Sequence, residues 1–235
     1  MASTRHAVAT FAVLAGLIFF FGLYGQADVW AQNHFYDFES GKWVIVRGER
    51  PWLDFLLYDG IKRALIVLYS LMLLALVFGY RHPFVRRHRR ELVILVLSGV
   101  IVPAVVVGLK NITNVPCPCD WQFYGGTYPP VGVFDSYPEA FEQQHRIRCW
   151  PAGHASFGFS LMAFYFVFRG TKERLIALGI ALSIAWSMGW YKILKGDHFL
   201  SHTIIAMAMG WLLILLIVMS VDRVGRRRAE SVDIQ

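Results

Sequence analysis

Two histidine clusters, Pro151-Ala152-Gly153-His154 and His198-Phe199-Leu200-Ser201-His202, hold the residues of this chain whose types and spacing suit acid–base and nucleophilic chemistry. A neutral imidazole can act as base or nucleophile and its protonated form as acid. Cations flank both clusters: Arg146 and Arg148 lead into the first, and Lys192 and Lys195 precede His198 by six and three residues. Guanidinium groups suit phosphate oxygens in bidentate geometry, and the lysines add local positive charge. The Pro-Ala-Gly turn places His154 at the opening of a helix, where backbone N–H groups favour an anion. His198 and His202, four apart, share a helix face. Taken singly, each residue has a bland reading, a satisfied polar histidine or a lysine snorkelling at an interface.

The clusters lie more than 40 residues apart, but the apolar runs between them, 155–168 and 175–191, predict an out-and-back pair of helices that brings them together. With 56% hydrophobic residues arranged in blocks, the chain is too apolar for an ordinary soluble domain. The expected fold is all-α, a polytopic membrane bundle forming one domain over 1–235. Six spans are predicted, at 7–25, 64–80, 92–109, 151–168, 175–191 and 203–221, each about long enough to cross a ~30 Å hydrocarbon core.

Cations set the expected orientation. The short loop 81–91 (Arg81, Arg86, Arg87, Arg89, Arg90), the loop 169–174 (Arg169, Lys172, Arg174) and the tail (Arg223, Arg226, Arg227, Arg228) are strongly basic, which predicts a cytoplasmic side for them and for both termini. Loops 26–63 and 110–150, on the side of both clusters, then face a periplasm across a bacterial inner membrane. The apolar run near the N-terminus exceeds the core of a secretory signal, so a retained first helix is expected. The net charge of +7 is explained by anionic lipid headgroups at the basic loops, leaving no case for nucleic acid. Segment 26–63 mixes aromatics (Trp30, Phe35, Tyr36, Trp43, Trp52, Phe55, Tyr58) with charges, as an interfacial segment with an aromatic belt does.

Lys110 ends the third predicted helix, where complementing the helix dipole would be role enough. The loop after it, of about 40 residues, is longer than a structureless connection should be, which favours a lid or binding element. Cys117, Cys119 and Cys149 border it. In an oxidising compartment a disulfide from Cys149 to Cys117 or Cys119 is expected, since Cys117–Cys119 would close too small a ring; a metal set with His145 or His154 is the lesser reading. No acidic cluster offers a magnesium or two-metal site, and no cofactor is expected.

In order and spacing these residues resemble the type 2 phosphatidic acid phosphatase superfamily of membrane lipid phosphatases. Its pattern is a lysine, six residues and Arg-Pro; then Pro-Ser-Gly-His; then Ser-Arg, five residues, His, three residues and Asp. Here Lys110 is followed after six residues by Cys117-Pro118, then by Pro151-Ala152-Gly153-His154, and His198 is followed four residues later by His202. Cys117, Ala152, Tyr191-Lys192 and His202 stand where the pattern has Arg, Ser, Ser-Arg and Asp. The resemblance implies that His198 attacks phosphorus and forms a phosphohistidine, and that His154 protonates the leaving group. It further implies that Lys110, Arg148, Lys192 and Lys195 hold the phosphoryl oxygens and that no metal takes part. His202, in place of the aspartate, is expected to accept the N–H of His198, so that its protonation shapes the acid limb of the rate profile. The implied substrate is a phosphorylated or diphosphorylated lipid. A phosphotransferase passing the phosphoryl group to a second lipid, or a noncatalytic lipid-binding relative, are the other readings.

Overall fold

The computed structural model describes residues 2–23 and 25–232. Its helices are α1 (Thr4–Leu23), α2 (Gln26–Asn33), α3 (Pro51–Asp54), α4 (Ile61–Phe78), α5 (Pro83–Arg87), α6 (Arg89–Ile112), α7 (Gly153–Phe159), α8 (Thr171–Leu194) and α9 (Leu200–Val232). A small antiparallel hairpin pairs β1 (Tyr36–Asp37) with β2 (Lys42–Trp43). A π-helical turn, Phe55–Gly60, joins α3 to α4.

Five stretches are long and apolar enough to cross a membrane: Thr4–Leu23, Pro51–Phe78, Arg89–Ile112, Thr171–Leu194 and Leu200–Arg227. They coincide with five of the predicted spans, position 24 of the first lying outside the described residues. The second begins earlier than expected. Residues 51–63, read as part of an interfacial segment, continue directly into α4 through the π turn.

The remaining predicted span, 151–168, is not one continuous α-helix. It consists of α7 followed by a 3-10 segment, Ser160–Phe166. At 1.5 and 2.0 Å per residue the two pieces together rise only about 25 Å. This stretch forms the centre of the bundle, with Phe159, Ser160 and Ala163 wholly buried. Small residues allow the close approach: a Cβ on Gly158 would lie 2.6 Å from the Ala185 Cα of α8. Large apolar side chains on α1 and α4 (Phe11, Phe19, Leu71) face outward instead, as a lipid-facing surface does.

Three devices fix the end of the bundle where the histidines lie. Gly196 ends α8 at φ +71°, and the Asp197 N–H reaches back to the Lys192 carbonyl at 2.9 Å, the bond that closes a helix when glycine takes the left-handed cap. Asp28 of α2 then caps α9, its carboxylate accepting from the Ser201 N–H at 2.9 Å and from the Ser201 hydroxyl. Gln32, also on α2 and wholly buried, donates to the Ile193 carbonyl at 2.9 Å.

The long loop is pinned to the same end by a Cys117–Cys149 disulfide. Its backbone bonds to both histidine-bearing segments, Cys119 N–H to the Gly196 carbonyl at 3.0 Å and Ala152 N–H to the His202 carbonyl at 3.2 Å, and Trp121 packs on Phe199. Cys119 keeps its thiol. Burial, with Asp120 adding to it, pushes that thiol up to about 12, so it is protonated and a poor nucleophile at neutral pH.

Two measurements follow from these contacts. Mass spectrometry of oxidised protein is expected to find Cys117 linked to Cys149 and Cys119 alkylatable after denaturation; a Cys119–Cys149 link contradicts the fold of the loop. In the chain-entropy model, closing a loop of this size contributes roughly 3–4 kcal/mol.

The second measurement concerns Asp28, whose carboxyl burial pushes up to about 6 against the opposing bonds from Ser201. The folded chain therefore binds this proton more tightly than the unfolded chain, and the stability Asp28 supplies falls as pH rises from about 4 to about 6. Asp28→Asn keeps an acceptor without the charge, so its melting temperature relative to the parent should rise across that window. A constant difference between the two would show that Asp28 does not titrate there.

Candidate active site

The fold brings the two clusters together. The rings of His154, in the first turn of α7, and His198, just before α9, have centroids 6.5 Å apart. Each ring has one nitrogen tied and one open. Nδ1 of His198 lies 3.4 Å from the Cys149 sulfur, and a disulfide sulfur can accept a hydrogen bond but cannot donate one. The proton of a neutral His198 is thereby placed on Nδ1, leaving the lone pair on Nε2. Nε2 has no hydrogen-bond partner and is not among the buried unpartnered atoms of the described residues, so it reaches open space. Burial, followed by the charge of Lys110, holds the His198 imidazole well below the ordinary histidine range. It is neutral at physiological pH, as a nitrogen nucleophile must be.

His154 is arranged the other way round. Its Nε2 is hydrogen-bonded to the Tyr58 hydroxyl, delivered by the π turn, while its Nδ1 is neither partnered nor among the buried unpartnered atoms. The third histidine is placed differently from expectation. His202 has its ring centroid 5.8 Å from that of His198, and no hydrogen bond joins the two. One side of the His202 ring faces the Cys149 backbone, and its Nδ1 is buried without a partner among the described residues. The neighbour of the His198 Nδ1 is sulfur, not His202.

The four predicted phosphate-binding cations divide into two pairs. Lys110 and Lys192 are at the site: Lys110 carries its Cδ to 3.4 Å from where a Cβ of Gly153 would stand, and both act electrostatically on His154 and His198. Lys192 also lies 4.1 Å from the centroid of the Tyr58 ring and bonds Asp197 at 2.9 Å. Lys195 and Arg148 are not brought to the pair. The Lys195 ammonium is buried against Asp54 at 2.7 Å, where it ties α8 to α3. Arg148 is exposed, and its guanidinium reaches the Asn111 side chain at 3.4 Å.

Sequence reasoning missed the side chains of the second span and of the segment that leads into it. Lys62 lies near enough to act on His154 and stands over the Phe157 ring at 5.9 Å. Arg47 shares Asp197 with Lys192. The available signal was Asp54, Tyr58 and Lys62 recurring every four residues, a polar stripe unsuited to a lipid-facing helix.

Among the described residues, Cys117, Cys149 and His198 group closely enough to suggest a metal site. The two sulfurs are bonded to each other, so neither is the thiolate that a metal would need. The remaining equipment is two imidazoles with centroids 6.5 Å apart, each with one nitrogen left without a partner, and lysines to meet anionic oxygens.

Neither a curated protein nor a solved structure matches the chain. A family model, the PAP2 superfamily, matches residues 91–226, a stretch that takes in Lys110, both histidine clusters and the helices that carry them. By that match over more than half of its length, the chain belongs to the PAP2 superfamily.

Proposed function

We propose that this chain is a membrane phosphatase that hydrolyses the phosphomonoester or diphosphate of a lipid through a phosphohistidine at His198. Membership of the superfamily supports phosphatase-type activity on phosphate esters. The observation that carries the finer reading is the facing pair, a neutral His198 with its Nε2 lone pair open and His154 with its Nδ1 open, 6.5 Å apart between ring centroids.

In the first half-reaction the Nε2 lone pair attacks phosphorus and the bond to the leaving oxygen breaks, that oxygen taking a proton from His154. In the second, water attacks the phosphohistidine, gives a proton to His154, and the P–N bond breaks to release phosphate. A bound phosphate is anionic and favours the imidazolium form of His154, so the acid arrives with its substrate. Lys110 and Lys192, joined by Lys62, offset the charge on the nonbridging oxygens. His202 supports the nucleophile by packing rather than by a hydrogen bond. The lipid is favoured because the reactive end of the bundle is ringed by exposed aromatic side chains, Trp30, Phe38, Trp52 and Phe123, which settle at headgroup depth. The basic loops at the opposite end support a site facing the periplasm of a bacterial inner membrane with both termini in the cytoplasm, the broken stretch 151–168 serving as the sixth crossing.

Purified protein is expected to release phosphate from at least one member of a panel of lipid phosphates and diphosphates. His198→Ala should abolish turnover, and His154→Ala should leave a phosphoenzyme that forms about 10²–10⁴-fold more slowly. Near-normal turnover by His198→Ala would remove the phosphohistidine. A reporter fused after Arg90 should be cytoplasmic and one within 120–145 periplasmic; the reverse result would move the site to the other membrane face.

A further inference from the structure

The second span, Pro51–Phe78, lies wholly outside the family-matched residues 91–226, yet it forms a wall of the site. Asp54, Tyr58 and Lys62 recur on it at intervals of four, with the π turn Phe55–Gly60 between the first and the last. A π turn takes in an extra residue and re-aims the face of a helix, and such turns collect at functional sites. Asp54 meets Lys195 and Tyr191, and Lys62 stands over Phe157. Tyr58 alone of the three touches a member of the reactive pair.

We propose that Tyr58 is the positioning residue of the general acid, its hydroxyl oxygen holding Nε2–H of His154 through the whole reaction so that Nδ1 serves first as acid and then as base. The proposal rests on the reading of His154 as the proton donor. In the imidazolium form, Nε2–H donates to the Tyr58 oxygen and Nδ1–H faces the leaving group. After Nδ1 gives up its proton, Nε2–H stays on Tyr58 and the Nδ1 lone pair is aimed at the attacking water. One ring orientation thus serves both half-reactions, as when a fixed acceptor holds the far nitrogen of a catalytic histidine. Without that acceptor the neutral ring can place its proton on either nitrogen, and the Nδ1–H form cannot accept a proton from water.

Other hydroxyls near His154 are committed elsewhere. Position 152 is alanine, and the Ser156 hydroxyl donates to the Gly153 carbonyl at 2.6 Å. The phenol is itself held in place. Its ring packs against the His154 ring with centroids 4.7 Å apart, and Lys192 lies 4.1 Å from its own centroid.

Tyr58→Phe keeps the ring, its packing and the cation above it, and removes only the hydroxyl. The test compares parent and variant on an alkyl phosphate, whose leaving group needs a proton, and on p-nitrophenyl phosphate, whose leaving group does not. The expected result, read in kcat/KM so that only the first half-reaction counts, is a fall of about 10–100-fold on the alkyl phosphate and less than about threefold on the aryl one, while kcat on the aryl phosphate falls with the shared attack of water. The alkaline limb of the alkyl profile should move to lower pH, because losing an acceptor disfavours the imidazolium. Equal losses on the two substrates with an unmoved limb would overturn the proposal, leaving Tyr58 a packing residue. Should the parent hydrolyse neither substrate or any lipid phosphate, the acid role of His154 falls and Tyr58's with it. The ¹⁵N imidazole signals of His154 then judge the contact separately: unchanged signals in Tyr58→Phe would show that the hydrogen bond itself is absent.

Discussion

The contact between the Cys149 sulfur and the His198 ring is the constraint on which the rest of the site depends. It joins three otherwise separate parts of the chain: the end of the long loop, the turn between α8 and α9, and, through Cys117, the segment that follows α6. Neutral His198 is buried at a boundary where water cannot supply a partner for Nδ1–H, and an unpartnered buried N–H is costly. A covalently bridged sulfur accepts that N–H weakly and cannot be protonated in its place. The loop is therefore a structural support of the His198 ring, and its length reflects the path it must cover from Lys110 to His154.

Charge pairing arranges the cations around this centre. Asp197, adjacent to the nucleophile, is held between Arg47 and Lys192, so its negative charge is spent before it can favour an imidazolium at His198 or repel an incoming phosphate. Asp54 does the same for Lys195, which leaves the site and becomes a strut between α3 and α8. Removing either acid would strand a partly buried cation, a larger loss than a surface ion pair represents. Of the lysines near the histidines, Lys110 and Lys62 have no acid partner among the described residues, and an anionic ligand is the natural complement to them.

Much of this was legible in the sequence, for reasons that differ by element. Spans such as α6 and α9 are apolar on most faces, and hydropathy alone locates them. His154, His198 and Lys110 lie at fixed spacings on chemistry-bearing turns, so pattern sufficed. The 151–168 stretch was misjudged as a continuous helix because its small residues, which permit burial among α6, α8 and α9, look apolar in a window without revealing a change from α to 3-10 geometry. Arg148 and Lys195 were expected at the site because sequence proximity is a poor guide to direction. Lys195 lies three residues from His198 but across a left-handed glycine that turns the chain, and Arg148 points away from the strand of loop that delivers Cys149. Asp28 had no motif to announce it, and the polar stripe that carries Tyr58 names no partner, since tertiary docking alone brings these residues near histidines about a hundred or more residues distant.

The two imidazoles are alike in chemistry and are told apart by what holds their far nitrogens. Sulfur is a weak hydrogen-bond acceptor and a hydroxyl oxygen a better one. An acceptor stabilises the charged ring in proportion to its strength, so the sulfur does little to oppose the burial and lysine charge that keep His198 neutral, whereas in the proposed mechanism the Tyr58 oxygen behind His154 favours the imidazolium once an anion is bound. The nitrogen left open differs as well, Nε2 on His198 and Nδ1 on His154, so in the proposed mechanism the same ring type would meet the substrate by its tip from one side and by its flank from the other. On that reading, two histidines with centroids only 6.5 Å apart address opposite ends of one breaking P–O bond without competing for the same position.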